Sequence, residues 1–101
     1  GVPGEHAYNP MGQIHGGYAA TLLDSACGIA TASKLSAVQS FTTLELKIAY
    51  HRAMDADTGP VRAEGIVTVF GRRIAYAEAK LTDASGRLLA SATSTLMVLS
   101  Q

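Results

Sequence analysis

The sequence predicts an α+β domain in which an antiparallel sheet curls around one long central helix. Three observations carry that expectation: an apolar stretch of helical character over about residues 16–34, a switch to strict alternation after Ser40, and short turn signals that cut the remainder into further strands. Antiparallel strands joined by short turns form one sheet, and that helix is the only apolar layer available to cover it.

The opening segment holds turn formers around a short expected strand near residues 4–8, and Asn9-Pro10 with Gly12 marks a loop. In the helix, Ala19, Ala20, Leu22, Leu23, Ala26, Cys27, Ile29, Ala30 and Ala32 place apolar side chains nearly all round, the pattern of a buried helix. Gly28 weakens it by roughly 1 kcal/mol relative to Ala, which makes sense where another backbone or a ligand approaches closely. Lys34 near its end suits the helix dipole.

Beyond Ser40, the alternation predicts Thr42, Leu44, Leu46, Ile48 and Tyr50 on one face, and Thr43, Glu45, Lys47, Ala49 and His51 on the other. Tyr50 and the strand leucines and isoleucines are expected in the core. Further strands are expected over 61–70, 72–82 and 87–99, with a turn at Asp57-Thr58-Gly59-Pro60 and hairpin connections at Gly71 and at Asp83-Ala84-Ser85-Gly86. The expected order is one short strand, the helix, then four strands in a meander.

At 101 residues and 48% hydrophobic, the chain can bury one core but not two, and no repeat or linker divides it, so residues 1–101 read as a single domain. Eight basic residues balance eight acidic ones, which removes the electrostatic case for a nucleic-acid or anionic-membrane partner. Every apolar run is interrupted well short of the ~18 residues that a membrane span needs. Residues 1–17 show no basic-then-apolar leader, and the lone Cys27 fits a reducing compartment, so a cytoplasmic location is expected.

The chemistry concentrates in Asn9-Pro10-Met11-Gly12-Gln13-Ile14-His15-Gly16-Gly17 and in Asp24. His15-Gly16-Gly17 falls at the helix N-terminus, where unpaired N–H groups and the positive dipole end can hold an anion or polarise a carbonyl. Asp24 is a carboxylate in an apolar helix, and such a group needs a partner or a purpose. Gly16 and Asp24 are eight residues apart, about 12 Å along one helix at 1.5 Å per residue, so one copy cannot bring both to one carbonyl. Two copies with helices antiparallel across a two-fold axis could set Asp24 of one against Gly16 of the other, with two equivalent sites per dimer.

Asn9-Pro10-x-Gly12-x-x-His15-Gly16-Gly17 followed by Asp24 closely resembles the hotdog-fold acyl-CoA thioesterases of the phenylacetate-degradation (PaaI-like) type, within the 4-hydroxybenzoyl-CoA thioesterase superfamily. The resemblance continues through residues 42–50, Gly71-Arg72-Arg73, residues 83–86 and the final strand. It implies that Asp24 is the catalytic carboxylate, as nucleophile or as general base on water, and that the Gly16 N–H polarises the thioester carbonyl. It implies that Asn9 and His15 act near the thioester, and that a strand Ser/Thr orients water, Thr43 matching best with Thr42 its neighbour. By resemblance Gly71, Arg72 and Arg73 are the expected coenzyme A contacts, the arginines gripping phosphates, and the alternative is a solvated charge pair on the hairpin. The implied partners are an acyl-CoA substrate and the chain itself as a homodimer, and since hotdog dimers often pair, both a homodimer and a homotetramer stay open. The acyl group is left open, an aromatic one being suggested by the resemblance alone. No cofactor is implied beyond coenzyme A as part of the substrate, and no metal is required, the thiolate being a good leaving group. Family members usually carry a further helix and strand ahead of Asn-Pro, so a domain lacking the usual N-terminal segment is expected.

Cys27 has no neighbouring base and reads as a small buried hydrophobe. His6, His15 and His51 lack ligand spacing for a metal, and Ser25 lacks a nucleophile elbow. Two other functions compete with the thioesterase. A hotdog hydratase or dehydratase would place its acid with the histidine at the Asn-Pro loop, whereas Asp24 lies nine residues beyond His15. A non-catalytic acyl-CoA binding or sensing module would have no need to retain Asp24, Gly16, His15 and Asn9 together.

Overall fold

The computed structural model describes residues 16–54 and 57–100. One helix, α1 (Gly16–Ala32), precedes four strands, β1 (Gln39–Tyr50), β2 (Val61–Phe70), β3 (Ile74–Asp83) and β4 (Leu88–Ser100). They form one antiparallel sheet in the order β1-β4-β3-β2, as the α+β expectation requires. The expected strand near residues 4–8 lies outside the described residues.

The helix starts at Gly16 and ends two residues earlier than expected, so Lys34 sits in the following turn, its amide donating to the Thr31 carbonyl. The expected four-strand meander holds only for β2-β3-β4. Those strands are joined by turns of three and four residues, which leave room for hairpins alone. Ten residues, 51–60, separate β1 from β2, enough chain to carry β1 across to pair with β4. The His51 and Arg52 amides both donate to the Leu89 carbonyl and fix the exit of β1.

The β1–β4 register slips between Thr43 and Glu45. Leu44 is the extra residue of this β-bulge, and a one-residue insertion exchanges the two faces of a strand. The helix side of β1 therefore carries Phe41 and Thr43 before the bulge and Leu46, Ile48 and Tyr50 after it, each opposite a buried residue of β4. Thr42 and Thr43 thus exchange their expected faces. Leu44, Tyr50, Ile66 and Leu99 are exposed rather than core. The buried Ser94 hydroxyl donates to the Glu45 carbonyl (3.1 Å) and pins the backbone beside the bulge.

Ala19, Leu23, Ala26 and Cys27 of α1 pack on Ala77, Ala79 and Leu81 of β3 and Ala90, Ala92 and Leu96 of β4. The alanines keep the sheet surface low, so the helix backbone rides close to it. On β2 the approach is closer still, since a Cβ at Gly65 would lie 2.2 Å from the Ala26 carbonyl oxygen. The helix nonetheless buries one side only: Thr21, Asp24, Ser25 and Ile29 are exposed, so the all-round burial read from its composition is not met within one copy.

The β3–β4 hairpin is locked by Asp83, whose carboxylate accepts from Ser85 Oγ (2.7 Å), the Ser85 amide (3.0 Å), the Arg87 amide (2.9 Å) and Arg87 Nε (2.9 Å). The Ser85 hydroxyl first, then the Arg87 amide, hold its pKa down at about 2 against an ordinary 3.8. A carboxylate with a lowered folded pKa stabilises fully above its unfolded value, and that contribution fades as pH falls through the folded one. Thermal unfolding followed by circular dichroism should therefore show a stability loss between pH ~4 and ~2. Asp83→Asn should be less stable than the parent at pH 7 and should lose less on acidification across that window.

Candidate active site

The exposed side of α1 places Asp24 and Gly28 one turn apart, with Ser25, Ile29 and Ala32 in the adjacent row. This stripe faces the first residues of β1, because the chain turns back after Ala32 and re-enters the sheet at its edge. Between them runs a groove of about 370 Å³ lined by Asp24, Ser25, Gly28, Ile29, Ala32, Phe41 and Thr43. Asp24 and Thr43 share its walls, while Thr42, one residue away, faces the other side of the sheet opposite Met97.

Gly16 is the first residue of α1, so its amide has no partner within the helix. It lies about 12 Å along the axis from Asp24 at 1.5 Å per residue, and the structure does not bring the two together within one copy. Asn9 and His15 lie outside the described residues.

Gly71, Arg72 and Arg73 form the β2–β3 turn. The Gly71 amide donates to the Ile74 carbonyl (2.8 Å), and a Cβ at Gly71 would come within 2.9 Å of that oxygen, so the tight turn itself needs glycine. Arg72 and Arg73 are exposed and border a second hollow of about 600 Å³ with Ile74, Met97, Val98, Leu99 and Ser100. The two hollows occupy the same end of the sheet, since Phe41 of the groove pairs directly with Val98 of the second hollow.

Cys27 is buried beneath the groove in the core, and its thiol is pushed up to about 11, by burial first and then by the negative charges of Asp24 and Glu78. A thiol so raised carries almost no thiolate at neutral pH. No group of three or more metal-ligating side chains occurs among the described residues.

The sequence marks Ile29 and Ala32 only as apolar helix residues and Gly28 as a point where a backbone or a ligand could come close, and it gives Phe41 no role. The i, i+4 step from Asp24 to Gly28 was a usable signal for the helix wall. Nothing local marked Phe41, because its place opposite Gly28 depends on how β1 docks.

A single helix seated on a four-stranded antiparallel sheet gives this domain a hotdog-type α+β fold, with an aspartate and a threonine lining an open groove at the sheet edge. The thioesterase superfamily profile matches residues 11–90, and the chain belongs to that superfamily and is a thioester hydrolase. It is similar to the BH2602 protein of Bacillus halodurans, solved with CoA, at 32% identity and TM-score 0.90 over 97% of this chain and 68% of that one. A phenylacetic acid degradation-related protein of Ralstonia eutropha is 29% identical with TM-score 0.87, over 95% of this chain and 70% of that one. A thioesterase protein of Streptococcus pneumoniae solved with coenzyme A is 28% identical with TM-score 0.88, over 100% of this chain and 78% of that one. A comparison with curated proteins gives no match. No helix among the described residues is long and apolar enough to cross a membrane.

Proposed function

We propose that the chain is an acyl-CoA thioesterase whose site is shared between two copies. The carrying observation is the groove in which Asp24 faces Thr43 beside apolar walls, in a member of a thioesterase superfamily. The similar proteins of B. halodurans and S. pneumoniae were solved with coenzyme A, which supports coenzyme A as the leaving group here.

In the reaction R–CO–S–CoA + H2O → R–COOH + CoA–SH, the carbonyl carbon gains an oxygen substituent and the C–S bond breaks as the electron pair leaves on sulfur. Asp24 supplies the base that takes a proton from water, or attacks directly to give an anhydride that water then opens. Thr43, across the groove, orients the water through its hydroxyl. The carbonyl oxygen becomes negative, and the Gly16 amide, first in the helix and without an intrahelical partner, suits that charge, a donor so placed being worth about 3–4 kcal/mol. Because Gly16 and Asp24 of one helix are too far apart, the donor comes from a second copy, together with Asn9 and His15 beside the thioester.

The fold supports that pairing. β1 is a twelve-residue edge strand, and exposed Ile29 (72%) sits beside Asp24 on the uncovered side of the helix. A dimer through this edge covers both, and Ile66, Val69, Tyr76 and Met97 on the sheet's outer face offer the surface for pairing dimers into a tetramer. Acyl-CoA is an intracellular metabolite class, in keeping with a cytoplasmic enzyme.

The test is thiol release from a panel of short, long-chain and aromatic acyl-CoAs. Release from at least one supports the reading, and none from a folded dimer that binds acyl-CoA replaces it with a binding module. Arg72 and Arg73 carry the coenzyme A phosphates, so the double alanine variant should raise KM about tenfold or more, two charge-assisted contacts being lost, with kcat within about threefold of the parent. The same variant should show no such change on an acyl-pantetheine substrate, which lacks the nucleotide phosphates. Equal effects on both substrates would remove the arginines from this role.

A further inference from the structure

The two walls of the Asp24 groove change character in the same direction. On the helix, polar Asp24 and Ser25 are followed one turn on by Gly28 and Ile29, and a further turn on by Ala32. On the strand, polar Thr43 is followed toward the N-terminus of β1 by Phe41. Phe41 reaches Gly28, for a Cβ built there would lie 3.2 Å from Phe41 Cζ and 3.6 Å from Cε2. The groove thus has a polar end at Asp24–Thr43 and an apolar end at Gly28–Phe41–Ala32. It extends about 12 Å along the helix from Asp24 to Ala32 at 1.5 Å per residue.

Gly28 is what lets the phenyl ring settle against the helix backbone. Any side chain at 28 either fills the groove or lifts the ring into it, whereas a smaller residue at 41 leaves the space empty. Cys27 and Leu23 beneath the stripe are fully buried, so the floor cannot deepen without repacking the core.

We infer that the Gly28–Phe41 contact is the floor of an acyl subsite for an uncharged, apolar acyl group, and that this pair sets the acyl length accepted. The inference rests on the thioesterase reading for the placement of the reacting carbonyl at Asp24–Thr43. The acyl chain then runs toward Phe41 and Ala32, and among the described residues of one copy the only ionisable side chain lining the groove is the Asp24 carboxyl, at its opposite end. A terminal carboxylate on the substrate would be stripped of water without gaining a partner.

Two opposed variants test this. In Gly28→Val the ratio of kcat/KM for octanoyl-CoA to that for acetyl-CoA should fall at least tenfold, and in Phe41→Ala the ratio for dodecanoyl-CoA to octanoyl-CoA should rise. Each methylene that gains or loses contact is worth about fourfold. Gly28→Ala, where Phe41 needs to move only a few tenths of an ångström, should shift the first ratio in the same direction by less and serves if the valine variant does not fold. Succinyl-CoA should be hydrolysed at least tenfold less efficiently than butyryl-CoA, which has the same chain length. Ratios that stay within twofold of the parent in all folded variants, or shifts of the same sign at both positions, overturn the inference.

Affinities for S-octyl-CoA and S-ethyl-CoA, thioethers that cannot be hydrolysed, separate the two readings. An S-octyl preference lost in Gly28→Val upholds the subsite even if no acyl-CoA is turned over, in which case the thioesterase reading alone fails. Equal affinity of the parent for the two thioethers overturns the subsite even if hydrolysis is observed.

Discussion

Asp24→Asn is expected to lower kcat for acyl-CoA hydrolysis by about 10²–10⁴-fold, the range of a positioned base or nucleophile. Asparagine keeps the shape of the side chain and removes the negative oxygen that takes a proton or attacks carbon. Affinity for S-octyl-CoA should stay within about threefold, because the apolar end of the groove supplies most of the contact. Asp24 is exposed on the helix and makes no part of the core, so the melting temperature should move little, as surface changes away from special features usually stay within about 0.5 kcal/mol. A variant that keeps more than a tenth of the parental kcat would remove Asp24 from the reaction. A variant whose activity and melting temperature fall together would make it a structural residue.

Gly65→Ala is expected to be the most damaging single-methyl substitution in the sheet. The added Cβ would lie 2.2 Å from the Ala26 carbonyl oxygen, 2.6 Å from its carbonyl carbon and 3.2 Å from the Cys27 amide nitrogen. These are helix backbone atoms and cannot rotate away, so α1 must lift from β2 or the strand must shift. Overpacking of this kind costs about 3 kcal/mol or more. For a domain of about 100 residues, that corresponds to a drop of about 12–24 °C in melting temperature. Gly28→Ala is the internal comparison, since its Cβ meets the end of a phenyl ring that can yield. Thermal melts of the two variants should differ by 10 °C or more. Equal melting temperatures would mean that α1 does not ride on Gly65 as described. Because Ala26 lies two residues from Asp24, a Gly65→Ala protein that still folds should also lose activity, through displacement of the helix rather than loss of a reacting group.

Several features of the fold were legible because they are local. The helix start at Gly16 follows from turn formers giving way to an apolar run, and β2 to β4 follow from alternation punctuated by Gly71 and by Asp83-Ala84-Ser85-Gly86. Asp24 stands out as a carboxylate among apolar residues, and the eight-residue spacing from Gly16 to Asp24 is by itself an argument for a site shared between two copies. Thr43 was preferred over Thr42 on family resemblance, while the alternation put it on the face away from Leu46 and Ile48.

What the sequence by itself determined about this protein is the helix and the four strands that follow it, together with a set of candidate side chains, because hydrophobic period and turn chemistry act over a few neighbouring residues. Tertiary structure alone decided which of them meet. The ten-residue link after β1 is compatible with several strand orders, and only pairing with β4 selects one. The bulge at Leu44 leaves no mark in the alternating pattern, yet it turns Thr43 and Phe41 toward the helix, because one inserted residue exchanges the faces of a strand. The contact between Gly28 and Phe41, and that between Gly65 and Ala26, join segments that share no local pattern. They arise from how closely a helix can approach a sheet whose facing residues are alanine and glycine.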